Sequence, residues 1–190
     1  MFPRLINFVI GAAFALALLA GCEKEKSLAI YAEYAKDRNV LMRPGLNRRV
    51  FNTVEAQSGR KIALNADGSI TLQPGRYRIS GFSIVTMQDR LTAPASPHKL
   101  NYPGYCLVYP KEFEANDPLN HQIGLGGPST AQDMSPSLFD LIFTCDKVTQ
   151  ICVGHQTGEE LNNEVYLSVF SVDGIASPFH VFARVSVVEL

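Results

Sequence analysis

The chain has 190 residues, with 17 Lys and Arg against 18 Asp and Glu, 46% hydrophobic residues and no Trp. A net charge of −1 argues against nucleic acid as a partner, because neutralising phosphates takes a basic excess. The apolar content argues against a disordered chain, and the length suits one domain plus whatever the ends contribute.

In chain order, the first element reads as an address. Arg4 precedes a run from Phe8 to Ala20 that carries no charge. That run is shorter than the roughly 20 residues a membrane-spanning helix needs. A positive start, a short apolar stretch and then small residues form the layout of a secretory signal. Leu19-Ala20-Gly21-Cys22 closes the run and resembles the lipobox of bacterial lipoproteins. The resemblance implies a signal peptide at 1–21, cleavage before Cys22 and a diacylglyceryl and palmitoyl membrane anchor on Cys22. One acyl chain binds a membrane marginally, whereas two or three hold it stably. Glu23 follows Cys22, where enterobacterial lipoproteins kept in the inner membrane carry Asp, which implies the outer membrane of a bacterial envelope. Residues 22–30 then form a hydrophilic tether.

Residues 31–190 read as one all-β domain, an antiparallel β-sandwich. The segment 28–38 suits a helix or a strand. Beyond residue 50 the dominant period is two, with short β-prone runs at 50–56, Ile62–Leu64 and 69–72. Asn65-Ala66-Asp67-Gly68 between Leu64 and Ile70 reads as a hairpin loop. Gln73-Pro74-Gly75 turns the chain into the longest predicted strand, 76–87. It places Tyr77, Ile79, Gly81, Ser83, Val85 and Met87 on an inward face and Arg76 and Arg78 outside. Residues 88–137, rich in Pro and Gly, read as a long loop region, with only 105–109 strand-like, where binding sites tend to sit. Ser137–Cys145, 150–154, 165–172 and an alternating run from Phe179 to Val188 supply further strands. Many short strands joined by Gly and Pro turns predict a sandwich or barrel.

The segment Ile70-Thr71-Leu72-Gln73-Pro74-Gly75-Arg76-Tyr77-Arg78-Ile79-Ser80-Gly81 resembles a strand–turn–strand of C1q/TNF-like jelly rolls, and the closing run 183–190 resembles their last strand. The resemblance implies a jelly-roll-like sandwich and a homotrimer.

With Cys22 assigned to lipid, Cys106, Cys145 and Cys152 remain. In an oxidising envelope, a turn at Val148-Thr149 would set Cys145 opposite Cys152, so a disulfide is expected, with free thiols as the alternative. Cys106 reads as a buried apolar thiol. No further ligands stand at metal-site spacing, so neither metal nor cofactor is expected.

His98, His121, His155 and His180 are scattered, with His98 and His121 in the loop region and His180 on the outward face of a strand. Gly127-Pro128-Ser129 lacks the spacing of a nucleophile elbow, and Gly124–Gly127 lacks the Lys of a phosphate cradle. Paired acids, Glu159-Glu160 or Asp140 with Asp146, are as frequent as chance gives.

No enzyme is expected. The expected function is a lipid-anchored envelope protein presenting a non-catalytic sandwich to a protein or glycan partner, with Tyr102, Tyr105 and Tyr109 as contact aromatics. The alternatives are a structural or assembly lipoprotein of an envelope complex and a hydrolase of envelope polymers.

Overall fold

A computed structural model describes residues 26–35, 39–87, 103–131, 133–157, 165–172, 174–176 and 180–190. The N-terminal segment with Cys22, together with Tyr102, His98 and Glu159-Glu160, lies outside them.

The described residues form an antiparallel β-sandwich. Its first half contains β1 (Leu28–Tyr34), β2 (Val40–Leu41), β3 (Gly45–Arg48), β4 (Thr53–Ser58), β5 (Ile62–Leu64), β6 (Ile70–Leu72) and β7 (Gly75–Ser83). Then come β8 (Pro103–Pro110), β9 (Gly124–Thr130), β10 (Ser137–Cys145) and β11 (Thr149–Thr157). The short β12 (Tyr166–Ser168), β13 (Ser171–Val172) and β14 (Ile175–Ala176) precede the long closing strand β15 (Val181–Glu189). One sheet runs β10-β7-β15-β1-β4, and the facing sheet runs β5-β6-β11-β8-β9 with β3 joined to β11. Apart from the β5–β6 and β8–β9 pairs, successive strands of the two sheets cross from one to the other, as in a jelly roll.

The core forms where the inward rows of the two sheets meet. Tyr77, Ile79, Phe139, Tyr31, Val185 and Val187 from the first sheet pack with Ile70, Leu72, Val108, Ile151 and Val153 from the second. Along β7 the period of two holds as expected, with Tyr77 and Ile79 sealed and Arg76 and Arg78 exposed. Phe139 stands opposite Gly81 in the same sheet and fills the space above it, so the gap is closed by a neighbour and not by the facing sheet. Truncating Ile79 to Ala should cost about 2–5 kcal/mol in urea unfolding of the purified protein. Arg78 makes a two-pronged ion pair with Asp140 at 2.9 and 2.6 Å, both side chains more than half exposed and screened by water, so Arg78→Ala should cost far less than the Ile79 truncation. Equal losses at the two positions would contradict the inward–outward assignment.

The open question at 28–38 resolves as strand over Leu28–Tyr34, because the Tyr31 and Ala29 side chains are drawn into the core beside Val185 and Val187; residues 36–38 lie outside the described residues. The hairpin at Asn65 forms with Leu64 opposite Ile70. Its turn needs Gly68, at φ +81°, because a Cβ there would press on the Val50 and Phe51 backbone at 2.7–2.8 Å. The strand expected at 50–56 starts later, at Thr53, since Phe51 turns into the core under that hairpin.

Three expectations are corrected. The run 76–87 ends as a strand at Ser83, after which Val85 and Met87 join a second cluster with Met42, Val165 and Leu167. The region 165–172 is broken into β12 and β13. Among the described residues of the long loop at 88–137, a further strand joins the expected one: Gly124–Thr130 pairs with β8, because Gly126 lets the backbone lie against Cys106 and Ser137, where a Cβ would collide at 2.5 Å.

Candidate functional site

The expected hairpin between Cys145 and Cys152 does not form. β10 and β11 belong to different sheets, so Cys145 stands opposite Gly75 and Cys152 opposite Tyr109. Cys145 faces the inter-sheet core, whereas Cys152 points out of the second sheet with Leu107 and Tyr109. Cys106, Cys145 and Cys152 are all buried free thiols, and desolvation raises the Cys106 and Cys152 thiols above their ordinary range.

Tyr105 and Tyr109 share the outer face of the second sheet, but only Tyr105 is exposed. Tyr109, 1% exposed, closes over Gly154 beside Leu46, and its hydroxyl reaches towards Glu114 Oε1 at 3.5 Å. An ionic cluster borders this face: Lys111 Nζ lies 2.5 Å from Asp67, and Arg48 bridges Glu114 at 2.8 Å and Asp67 at 3.6 Å. Hydrogen bonds from Lys111 and then Ser69 hold the Asp67 carboxyl well below the usual range. His121 is exposed and stacked on Phe113 at 3.8 Å, while His180 is half-buried with its ring edge-on to Phe182. Asp140 is taken up by Arg78. Among the described residues no group of three His, Cys, Asp or Glu side chains is placed to hold a metal.

A constellation that sequence reading missed lies between the sheets. Arg49, just after β3 and 0% exposed, directs Nε to Ser83 Oγ at 2.8 Å, Nη1 to the Leu167 carbonyl at 2.6 Å and Nη2 to the Ile84 carbonyl. Glu33 of β1 lies 3.6 Å from the guanidinium and accepts the Val50 N–H at 3.1 Å. Ser83 Oγ is 2.8 Å from His155 Nδ1, and His155 Nε2 is 3.3 Å from Ser129 Oγ, the serine that follows Gly127-Pro128. Burial, then the neighbouring Arg49 cation, depresses the His155 imidazole from 6.5 to about 3. Burial likewise pushes the Glu33 carboxyl up and the Arg49 guanidinium down, each against the attraction of the other. The Ser–His distance matches a nucleophile and its base. However, both residues are fully buried, the far ring nitrogen meets the Ser129 hydroxyl where catalytic serine triads place a carboxylate, and Ser83 itself is held by the Arg49 cation. The chain of contacts clamps the two sheets and the Ile84 and Leu167 segments together. The available signal was the period of two on β11: carried two residues past Val153, it puts His155 on the inward face.

Among the described residues, two open surfaces carry apolar side chains beside polar ones. The outer face of the first sheet carries Leu138, 61% exposed, and Ile142, 57% exposed, on its edge strand. The register sets Phe82 beside Leu138, and continues from Ile142 through Arg78 and Val188 to Leu28. Ile30, also partly exposed, stands between Ser186 and Ala56. The second surface is a cleft of about 750 Å³, lined by Glu33, Asn52, Val54, Asn65, Leu167 and Ser168 among others.

No family model matches this sequence, and no curated protein does. Among solved structures, the chain is similar to murine APRIL crystallised at pH 8.0, with 11% identity and a TM-score of 0.48 over 87% of this chain and 100% of that chain. The pH 8.5 crystal of murine APRIL gives 11% identity and a TM-score of 0.47 over the same shares.

Proposed function

We propose that this protein is a lipid-anchored component of a bacterial envelope, in the outer membrane, whose sandwich acts by binding a protein partner and not by catalysis, and that it first assembles with copies of itself as a homotrimer. The observation that supports this reading best is the outer face of the first sheet. Leu138 and Ile142 stand more than half exposed there and are continued by Phe82, Val188, Leu28 and Ile30. Apolar side chains gathered on one sheet face are the composition of an interface core, and Arg78 and Asp140 give that face a fixed polar pair. The lipobox-like Leu19-Ala20-Gly21-Cys22 supports the anchor, and the C1q/TNF-like segments support the trimer.

Two measurements test the reading. Labelled palmitate should enter the wild-type protein and be lost in Cys22→Ser, with an uncleaved precursor accumulating; label retained in the variant would refute the anchor. Light scattering on the detergent-solubilised protein, corrected for bound detergent, should give three times the chain mass. The double variant Leu138→Asp, Ile142→Asp should fall to one chain mass with an unchanged circular dichroism spectrum. A monomeric wild type would refute assembly through this face.

A further inference from the structure

The direction of every hydrogen bond through His155 follows from its partners. Arg49 has only donors, so Nε–H gives to Ser83 Oγ. Ser83 is fully buried and its hydroxyl proton needs an acceptor, which His155 Nδ1 at 2.8 Å provides. Nδ1 is therefore bare and Nε2 carries the proton, donating to Ser129 Oγ, whose hydroxyl donates on to the Gly104 carbonyl at 3.3 Å. The chain Arg49–Ser83–His155–Ser129–Gly104 runs one way and is complete only with a neutral imidazole. The same guanidinium holds the carbonyls of Ile84 and Leu167. Next to them, Thr86 and Tyr166 exchange backbone hydrogen bonds at 3.0 and 2.8 Å.

We propose that this buried chain is an acid-sensitive latch: a proton on His155 Nδ1 breaks it at the middle, releases the grip of Arg49 on Ile84 and Leu167, and frees the 165–169 segment from the end of the sandwich. A second proton on the ring would meet the Ser83 hydroxyl proton head-on, with the Arg49 cation behind it. The groups facing the imidazole offer no anion in its place. β7 and β9 contribute Ser83 and Ser129, β8 and β3 set Cys106 and Asn47 opposite it in register, and the Glu33 carboxylate of β1 lies beyond Arg49. Burial keeps the Cys106 thiol protonated. Because Glu33, Leu167 and Ser168 line the 750 Å³ cleft, release of this segment also reshapes the cleft. Acid would thus alter a surface while the central strands stay paired.

The test is amide hydrogen exchange on the full-length chain at pH 7 and pH 4.5, corrected for intrinsic rates, with and without low urea. An open state whose imidazole titrates near 6.5 becomes up to about 100-fold more populated at pH 4.5. The Thr86 and Tyr166 amides should lose protection by up to that factor, ahead of Ile79 and Val187 and through an opening that urea does not promote. His155→Gln should abolish the acceleration. Thr86 and Tyr166 keeping pace with Ile79 and Val187, with the same urea dependence, would overturn the latch. Ring-nitrogen shifts of wild-type His155 need no variant: a bare Nδ1 and protonated Nε2, unchanged from pH 8 to pH 5, support the chain. The opposite tautomer, or titration near 6.5 in the folded protein, would overturn it.

Discussion

Lowering the pH from 7 to 5 is expected to remove about 2 kcal/mol of folding stability through His155 alone, a loss that His155→Gln should not show. The imidazole titrates near 6.5 in the unfolded chain and at about 3 in the folded one, because burial and then the Arg49 cation disfavour its charge. Between those two values the unfolded state binds the extra proton, so stability is complete above about pH 6.5 and is lost as the pH falls. At about 1.4 kcal/mol per unit, the whole shift is worth about 5 kcal/mol at pH 3, comparable with the entire stability of many domains. Glu33 acts in the opposite sense, since its raised carboxyl gives stability that is present at low pH and lost as the pH rises. Asp67, Asp140, Glu55 and Glu189, all held low by their partners, lose their contributions only as the pH falls through the carboxylate range. Urea unfolding of wild type and His155→Gln at matched pH values therefore isolates the imidazole. A constant difference between the two proteins from pH 7 to pH 5 would mean that His155 is solvated in the folded state.

Alternation carried most of the fold into view from the sequence. Ile62–Leu64 and Ser137–Cys145 have the expected bounds, and the Asn65 turn joins the expected strands, because short-range φ preferences and a two-residue period specify them without tertiary help. What alternation cannot state is which sheet a strand joins. β10 and β11 follow one another across a short turn yet separate into facing sheets, and that single crossover sends Cys145 and Cys152 to opposite sides of the second sheet. The glycines at 124–127 misled for a related reason: read locally they signal a loop, but Gly124 and Gly126 permit an edge strand to lie against Leu141 and Cys106. From its place in a Pro-rich stretch Tyr109 reads as a contact aromatic, whereas pairing of β8 with β11 buries it on Gly154. The buried polar chain was hidden for a different reason. Arg49, Ser83, Ser129 and His155 come from four separate strand regions, and nothing in their spacing shows that they meet.

Arg49→Met is expected to cost about 3–5 kcal/mol, the range seen when one partner of a buried ion pair is removed. The guanidinium, itself 0% exposed, holds Ser83 Oγ, two backbone carbonyls and the Glu33 carboxylate. Methionine keeps much of the volume and leaves all four acceptors with fewer donors. Glu33 is then a buried carboxylate held by the Val50 N–H at 3.1 Å without its cation, and it must either take up a proton or draw in water. The companion variant Arg49→Met, Glu33→Leu removes the stranded charge together with its partner. It should be more stable than Arg49→Met alone by about 1–3 kcal/mol, because the two residues are coupled and their losses do not add. The carbonyls of Ile84 and Leu167 stay without their donor in both variants, so the double substitution should not reach the wild type. Should Arg49→Met alone fail to fold, recovery of a cooperative urea transition in the double variant carries the same information. Additive losses at Arg49 and Glu33 would show that the guanidinium serves the two carbonyls and Ser83 alone, with the 3.6 Å ion pair contributing nothing.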